Sequence, residues 1–222
     1  IVKANMDLII GQLGYFAVGA MYSLGLTLAS MSIAICIGIV VSMGRLADNI
    51  VLRWTSTAFV DFTRGMPFLV LLIWVYYGLA ILLDISLTPL VAGIGCLSIK
   101  YAGRLAEIFR SGIQAIEKGQ AEAALSLGFS KLQTYRRIIL PQIVPIVIPP
   151  LVNEVVGMIQ DSAIVSIVGI WELMRRGNSV ANATLKPFEI YSTIAVIYLI
   201  MTISLSQLNE RYIEKKMFGK KR

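Results

Sequence analysis

Two carboxylates, Glu154 and Asp161, stand in an otherwise apolar part of the chain and are the first candidates for chemistry. Ionisable side chains are costly inside a membrane, where they face a bundle interior or a wet cavity. Asn153 and Gly157 lie beside them at helical spacing, so these four residues predict a polar face. Glu154 suits a positively charged group, and Asn153 offers donors to a negative one. The alternative is structural: Glu154 pairs with Arg64 or another arginine of the spans.

Prolines accompany this polar face. Pro141, Pro145 and Pro149 recur every four residues. Each removes one helical hydrogen bond, so we expect a broken helix just before Glu154. Met66 and Pro67 fall near the middle of an earlier apolar stretch. They either line the same cavity or only kink and pack their helix.

The elements that position these residues are membrane-spanning helices. The chain has 222 residues, of which 57% are hydrophobic and 15% charged, with a mean hydropathy of +0.76. Soluble domains are about 45–50% apolar and about 25% charged. The predicted fold class is therefore all-α, a polytopic membrane protein in which residues 1–222 form a single domain. Five stretches approach or exceed the roughly 20 apolar residues that cross a bilayer, namely residues 15–43, 54–83, 88–110, 135–156 and 188–209.

Several chemistries are excluded. The chain has no histidine, which removes imidazole proton relays, catalytic triads and histidine metal ligands. Cys36 and Cys96 stand singly in apolar runs, unlike a disulfide framework or a metal site. No Gly-rich loop ends in Gly-Lys-Ser/Thr, so a nucleotide site is not expected either. We therefore expect none of these catalytic or metal sites, and no cofactor.

Positive charge indicates the orientation. With the N-terminus outside, thirteen Lys and Arg residues fall on the cytoplasmic side and four on the outer side. The positive-inside rule then places the C-terminus in the cytoplasm. The net charge of +7 is explained by this topology, and no nucleic-acid partner is expected. The basic tail 215–222 is expected to hold lipid headgroups, with a specific protein partner as the weaker alternative.

Small and charged residues at other positions have packing roles. Arg104 and Glu107 are three apart on one helix and are expected to pair with each other. Five spans are few for an enclosed pathway, and Gly19, Ser23 and Gly38 allow helices to approach closely, so we expect dimerisation. On the outer side we expect a polar surface on which another protein can dock, although anchoring at the interface explains Trp171 equally well. The outer-side residues concerned are Trp171, Glu172, Arg175 and Arg176.

The cytoplasmic loop, about residues 111–134, contains a short Ala-rich stretch. Residues 120–127 have good helix propensity, and Gly128 stands where a helix end favours a left-handed residue. Ala123 and Ala124 give this helix a smooth face, and Glu122 near its start can accept hydrogen bonds. This shape suits docking more than catalysis, and a solvated connector whose alanines only favour helix is the alternative.

The spacing of this loop resembles the EAA loop of ABC importer permeases. Glu122-Ala123-Ala124 is followed by Gly128 and then by Leu140-Pro141 at the family's spacing. The likeness covers nearly the whole chain and narrows to the polar amino acid uptake branch, the histidine/glutamine-type permeases. Two departures concern the substrate: Met66 replaces the usual Thr, and residues 160–163 replace Lys-Asp-Thr-Ser. The other shared markers are residues 64–67, 107–112, 119–120 and 140–142.

The resemblance implies a function and a set of partners. Two copies of a cytoplasmic ATPase would seat the coupling helix, and a second permease copy, identical or related, would complete the pathway. An extracytoplasmic binding protein would deliver a polar amino acid to the permease. The permease would pass it across a bacterial inner membrane and would perform transport, not catalysis. The coupling residues implied are Gly119, Gln120, Glu122, Ala123, Ala124 and Gly128, and the substrate-binding residues are Glu154, Asn153, Gly157, Asp161, Met66 and Pro67.

Two alternatives and one refinement follow. An unpaired Glu154 would suit a basic side chain, which favours arginine, lysine or histidine as substrate. An ion-gradient-driven secondary amino acid transporter would instead use Glu154 and Asp161 to carry protons or sodium. A purely structural membrane subunit leaves these costly carboxylates unexplained.

Overall fold

The chain folds into helices throughout the region that the structure describes. This computed structural model describes the backbone of residues 2–209 and the side chains of residues 7–117 and 119–209. The all-α prediction is confirmed for this region, whereas the basic tail 215–222 lies outside it. The helices are α1 (Val2–Leu46), α2 (Ile50–Gly65), α3 (Phe68–Ile73), α4 (Ala80–Leu83), α5 (Pro89–Gln114), α6 (Lys118–Ser126), α7 (Lys131–Thr134), α8 (Leu140–Asp161), α9 (Leu173–Thr184) and α10 (Pro187–Leu208).

Three irregular helical segments join or extend these helices. A π-helical turn, Trp74–Leu79, joins α3 to α4, and another, Tyr135–Ile139, joins α7 to α8. The 3-10 helix Ser162–Val168 follows α8. The first predicted span therefore belongs to a longer unbroken helix, and the fourth belongs to a helical stretch that begins before it and ends after it.

Length and composition identify fewer membrane crossings than expected. In the described residues, Asp7–Leu46, Lys131–Val168 and Pro187–Leu208 are long and apolar enough to cross, and α2 with α3–α4 forms a bent fourth candidate. The count of five is not confirmed, because α5 is not among the helices that are long and apolar enough by this measure. Its 26 residues nevertheless extend about 39 Å, more than a hydrocarbon core of about 30 Å.

Helix α5 is the central element of the bundle. It packs against α1, α2, α3 and α8, and residues such as Leu97, Tyr101 and Leu105 are buried in the main core. Since neighbouring helices surround α5, its polar side chains meet protein groups instead of lipid. This explains how a helix of modest hydropathy can occupy the middle of a membrane domain.

Small residues bring helices together inside the chain. A Cβ on Gly38 would lie 2.9 Å from the Cβ of Leu105, so α1 and α5 cross closely there. A Cβ on Gly19 would lie 2.8 Å from the Cα of Leu173 in α9. Ser23 is fully buried. These residues are therefore engaged within one copy, and they do not support the dimer contact that the sequence suggested.

The chain breaks at Met66 and Pro67. Helices α2 and α3–α4 meet there at 105°. Met66 (ψ 128°) and Pro67 (ψ 138°) are both extended. A residue before proline is disfavoured in the helical region, which explains the break.

By contrast, α8 runs continuously from Leu140 to Asp161 with Pro145, Pro149 and Pro150 inside it. The predicted broken helix before Glu154 is wrong. A proline ring has a helix-compatible φ, and the packing of α8 against α5 and α10 offsets the lost hydrogen bonds.

Helix α9 and the loop after α5 lie at opposite ends of α1. Gly19 of α1 approaches α9, whereas Arg45 of α1 binds Glu107 near the end of α5. The 26 residues between Gly19 and Arg45 rise about 39 Å in an unbroken helix. A membrane normal along α1 therefore separates α9 from α6.

Candidate functional site

A polar cleft opens between α2, α5 and α8. Its volume is about 550 Å³, within the range of about 300–1,000 Å³ that is usual for small-molecule sites. We call it the polar cleft. Its lining residues are Arg64, Arg104, Glu107, Ile108, Ser111 and Glu154.

Glu154 is paired across the polar cleft. Arg104 Nη1 donates a hydrogen bond to Glu154 Oε2 at 3.2 Å, and the two side chains are 40% and 22% exposed. The structure thus bears out the ion-pair alternative for Glu154, with Arg104 as the partner in place of Arg64. Both charges remain open to the cleft.

Glu107 binds a different set of arginines, so the predicted Arg104–Glu107 pair is wrong. Arg45 forms a salt bridge with Glu107 Oε1, and Arg110 donates to Oε2 from Nε at 3.0 Å and from Nη2 at 2.9 Å. Arg64 Nη1 lies 3.7 Å from Oε1. Three arginines around one carboxylate leave an excess of positive charge beside the cleft.

Tyr101 joins the face of α8 to Arg104. Its hydroxyl donates to Asp161 Oδ2 at 3.0 Å, and a Cβ on Gly157 would lie 3.1 Å from the hydroxyl oxygen. The Arg104 guanidinium lies 5.2 Å from the Tyr101 ring centroid. Glu154, Gly157 and Asp161 therefore share the side of α8 that faces α5.

The remaining predicted residues lie away from this lining. Asn153 is exposed, and it is not one of the six residues that line the polar cleft. Met66 packs against the main core, and its carbonyl accepts a hydrogen bond of 2.6 Å from the buried Lys100 ammonium. With Pro67 exposed at the helix break, this geometry matches the kink-and-packing alternative for Met66 and Pro67.

The sequence analysis missed residues on α5. Arg104 and Ser111 line the cleft, while Lys100 and Tyr101 hold its surroundings in place. Charged residues at helical spacing in an otherwise spanning helix were the available signal. Their partners lie on other helices, so spacing along α5 alone does not identify them.

Helix α6 has the predicted form of a short surface helix. It covers Lys118–Ser126, and Gly128 adopts φ +84° after it. The Gly128 and Phe129 amides donate to the carbonyls of Leu125 and Ala124 at 3.0 and 3.1 Å, which closes the helix end. The role predicted for Gly128 as a left-handed helix terminator is confirmed.

The surface of α6 and the residues after it expose apolar side chains. Ala124 is buried, while Gly119, Gln120, Glu122 and Ala123 are exposed. A Cβ on Gly119 would meet no atom within 4 Å. Exposed apolar groups outside a membrane span are typical of a protein interface. The exposed leucines are Leu125 (44%) and Leu127 (78%).

Glu172, just before α9, is a structural residue. It is 0% exposed, so the expectation that it contacts a docking protein is wrong. Its carboxylate accepts from Ser23 Oγ at 3.2 Å and Tyr198 Oη at 2.7 Å, and from the Met174 and Arg175 amides at 2.9 and 2.7 Å. Burial raises the pKa of Glu172, although these hydrogen bonds act in the opposite direction.

Trp171 beside Glu172 is half exposed, and the Arg175 guanidinium lies 5.5 Å from its ring centroid. This exposure fits both interpretations of Trp171, contact with a docking protein and anchoring at the membrane interface. Among the described residues no group of three or more acidic or cysteine side chains is placed to hold a metal ion.

Comparison with known proteins places this architecture in a family. Residues 34–219 match the family model described as binding-protein-dependent transport system inner membrane component. The chain is 33% identical to the probable glutamine ABC transporter permease protein GlnM of Bacillus subtilis, covering 96% of this chain and 98% of that one. It is 37% identical to the probable amino-acid permease protein YxeN of Bacillus subtilis, covering 86% of each.

A solved structure shares the same fold. The crystal structure of an amino acid ABC transporter with histidines has a chain that superimposes with a TM-score of 0.86 at 31% identity. The match covers 94% of this chain and 96% of that chain. The family match and these relatives make the chain a multi-pass inner membrane transport subunit of the ABC amino acid permease type. The chain therefore belongs to the binding-protein-dependent transport system inner membrane component family.

Proposed function

We propose that this chain forms the pathway of an ATP-driven importer for polar amino acids. The observation that carries the proposal is the polar cleft, in which Glu154 and Arg104 expose opposite charges to one space. An amino acid carries an ammonium and a carboxylate, so a site with both charges suits it. Glu154 is the proposed partner of the ammonium. Gly157 and Asp161, on the same side of α8, are proposed to extend the site. Asn153, Met66 and Pro67 stay predictions, because they lie away from the cleft lining.

The side chain of the substrate is a separate question. A basic amino acid was expected because an unpaired Glu154 would attract a second positive charge. In the structure Arg104 pairs with Glu154, and further arginines add positive potential beside the polar cleft. We therefore extend the candidates from basic to neutral polar amino acids. The relatives, one named for glutamine and one solved with histidines, support both groups.

Helix α6 is the proposed contact with the ATPase. Its exposed Ala123, together with Leu125 and Leu127, offers an apolar surface outside the spans, and the exposed Glu122 lies beside it. Two copies of a cytoplasmic ATPase would close on ATP, push α6 and turn the cleft from inward-facing to outward-facing. A second permease copy, identical or related, completes the pathway, and an external binding protein supplies the amino acid.

The proposed topology has five crossings, with the N-terminus outside and the C-terminus in the cytoplasm. It counts α2 with α3–α4 as one bent crossing and adds the central α5. The separation of α9 from α6 along α1 supports it, since it puts the outer segment and the coupling loop at opposite ends. We further propose that the whole chain is one permease domain.

The test is ATP hydrolysis by the permease–ATPase complex reconstituted in vesicles, with a panel of basic, neutral polar and acidic amino acids. We expect polar amino acids to stimulate hydrolysis, and Glu154→Gln to remove the stimulation while basal hydrolysis survives. Asp84→Asn is a matched control, because Asp84 is exposed and its left-handed φ of 50° tolerates asparagine. Full stimulation of Glu154→Gln would contradict the assignment.

A second experiment tests the coupling surface. Ala123→Trp places a large ring on the exposed face of α6, and we expect the ATPase to be lost on purification. Ala183→Trp, at an exposed position of α9, should retain the ATPase. Equal retention by both variants would contradict docking at α6. Uptake that persists without any ATPase would instead favour an ion-driven secondary transporter.

A further inference from the structure

In the polar cleft, Arg104 and Glu154 each take the position that an oppositely charged group of a ligand would take. The contact is a single hydrogen bond of 3.2 Å between two partly exposed side chains that border the polar cleft. Glu107, three residues from Arg104, instead receives two hydrogen bonds from Arg110 and a salt bridge from Arg45. Arg104 therefore holds Glu154 by fewer contacts than Arg45 and Arg110 hold Glu107. Arg64, the other arginine of the cleft lining, makes only a 3.7 Å contact, and that contact is to Glu107.

We propose that Arg104 pairs with Glu154 while the cleft is empty. When a substrate binds, its ammonium pairs with Glu154 in place of Arg104, and Arg104 binds the substrate's α-carboxylate. The proposal rests on the proposed function, because it requires an amino acid in the polar cleft. The zwitterion inserts into the ion pair: its ammonium meets Glu154, and its carboxylate meets Arg104.

Charge balance favours this exchange. Before binding, the two protein charges satisfy each other, and after binding each faces an opposite charge of the ligand. No charge is left unpaired in either state. An amine without a carboxylate would displace Arg104 and leave it unpaired. An acylated amino acid would leave Glu154 unpaired.

The surroundings of Arg104 keep it in position during the exchange. Its guanidinium lies over the ring of Tyr101, a residue that is almost fully buried and whose hydroxyl donates to Asp161. Stacking on an aromatic face suits the planar guanidinium, which also binds carboxylates in a bidentate manner. Arg104 can therefore release Glu154 without leaving the cleft.

The decisive experiment compares each amino acid with its decarboxylated form. The assembled permease–ATPase complex, without binding protein, is titrated with L-histidine and histamine, and with L-glutamine and 4-aminobutanamide. The wild type should prefer the amino acid. In Arg104→Gln the amino acid should bind about 10- to 100-fold more weakly, because a charged hydrogen-bonded contact is lost. The amine should bind more tightly, because Glu154 is already free.

Opposite changes for the two ligands distinguish carboxylate recognition from a structural role, which would shift both in the same direction. Arg110→Gln is the matched control, since Arg110 also pairs with a glutamate but does not line the cleft. The control should keep the wild-type preference. Parallel changes in Arg104→Gln, or an unchanged preference, would overturn the proposal.

Two further results separate the possible failures. If Arg104→Gln does not assemble, Arg104→Lys retains the charge without the bidentate geometry, and the preference should fall by less than about tenfold. A preference in Arg104→Lys equal to that of the wild type would overturn the role of the guanidinium fork. If neither amino acid binds or stimulates the wild type, the proposed function itself fails, and the exchange fails with it.

Discussion

Glu154 and Glu172 are two carboxylates in one largely apolar chain, and their surroundings are opposite. Glu172 is 0% exposed and accepts four hydrogen bonds from α1, α9 and α10. Among the side chains that the structure describes, Glu154 has Arg104 as its hydrogen-bonding partner, and it faces the polar cleft. A carboxylate has about four acceptor positions. Those of Glu172 are filled, whereas Glu154 keeps positions for a ligand.

This contrast separates structural from functional charges in a membrane chain. The presence of a carboxylate in apolar sequence does not decide its role. The number of its acceptor positions that the protein already fills does. Glu172 holds helices together, and Glu154 remains available to a ligand.

Glu172→Ala should lower the free energy of unfolding more than the other substitutions below. It would leave two hydroxyl groups and two amides buried without their acceptor, each costing about 1–3 kcal/mol. We expect the free energy of unfolding to fall by at least about 3 kcal/mol, read as thermal melting in detergent. Glu154→Ala should change melting little, because its side chain already borders the cleft. Equal losses for the two variants would remove the distinction between these carboxylates.

Gly19→Ala should have the next largest effect. The added Cβ meets the Leu173 backbone at 2.8 Å and would push α9 away from α1, beside Glu172. We expect a loss of about 1–3 kcal/mol in melting experiments, as for overpacked cores. Gly25→Ala is the control, because nothing lies within 4 Å of its Cβ position. A Gly19→Ala protein as stable as the control would show that this contact is not tight.

Tyr198→Phe removes one of the four donors to Glu172. The loss of a single hydrogen bond to a buried charged group should cost about 1.5–3 kcal/mol at most, and nearer 1 kcal/mol if Glu172 keeps its proton. Chemical denaturation of the purified chain measures it. Tyr191→Phe, whose exposed hydroxyl donates to Asn178, is the matched control. If both variants lose the same stability, the hydroxyl of Tyr198 has no special role at Glu172.

The smallest predicted effect is a pH dependence. Because burial raises the pKa of Glu172, the folded protein holds this proton at a pH where the unfolded chain has released it. The free energy of unfolding therefore falls as the pH rises from the ordinary carboxyl pKa towards the raised one. Glu172→Gln removes the titrating group and should flatten this part of the melting-temperature profile. Parallel profiles would contradict a raised pKa.

The sequence predicted what local patterns determine. Apolar length identified helices that match α1, α8 and α10, and Ala-rich propensity with Gly128 identified α6. The left-handed φ of Gly128 follows from its place after the last helical turn. These features depend on residues close together in the chain, so the pattern is sufficient.

Long-range partners were not predictable in this way. Spacing paired Arg104 with Glu107, but the bundle pairs Arg104 with Glu154 and surrounds Glu107 with arginines. The proline pattern predicted a break in α8, but the chain breaks at Met66, whose carbonyl accepts a hydrogen bond from the Lys100 ammonium. Each outcome depends on which helix lies alongside, and that information is not in the local sequence.

The most direct test of the cleft as the substrate site is amino-acid-stimulated ATP hydrolysis by Glu154→Gln and Glu172→Gln complexes, normalised to folded complex. We predict that Glu154→Gln melts within about 2 °C of the wild type and loses stimulation, whereas Glu172→Gln melts lower and keeps the wild-type ratio of stimulated to basal hydrolysis. Full stimulation in Glu154→Gln, or loss of stimulation in Glu172→Gln alone, would contradict the placement of the substrate in the polar cleft.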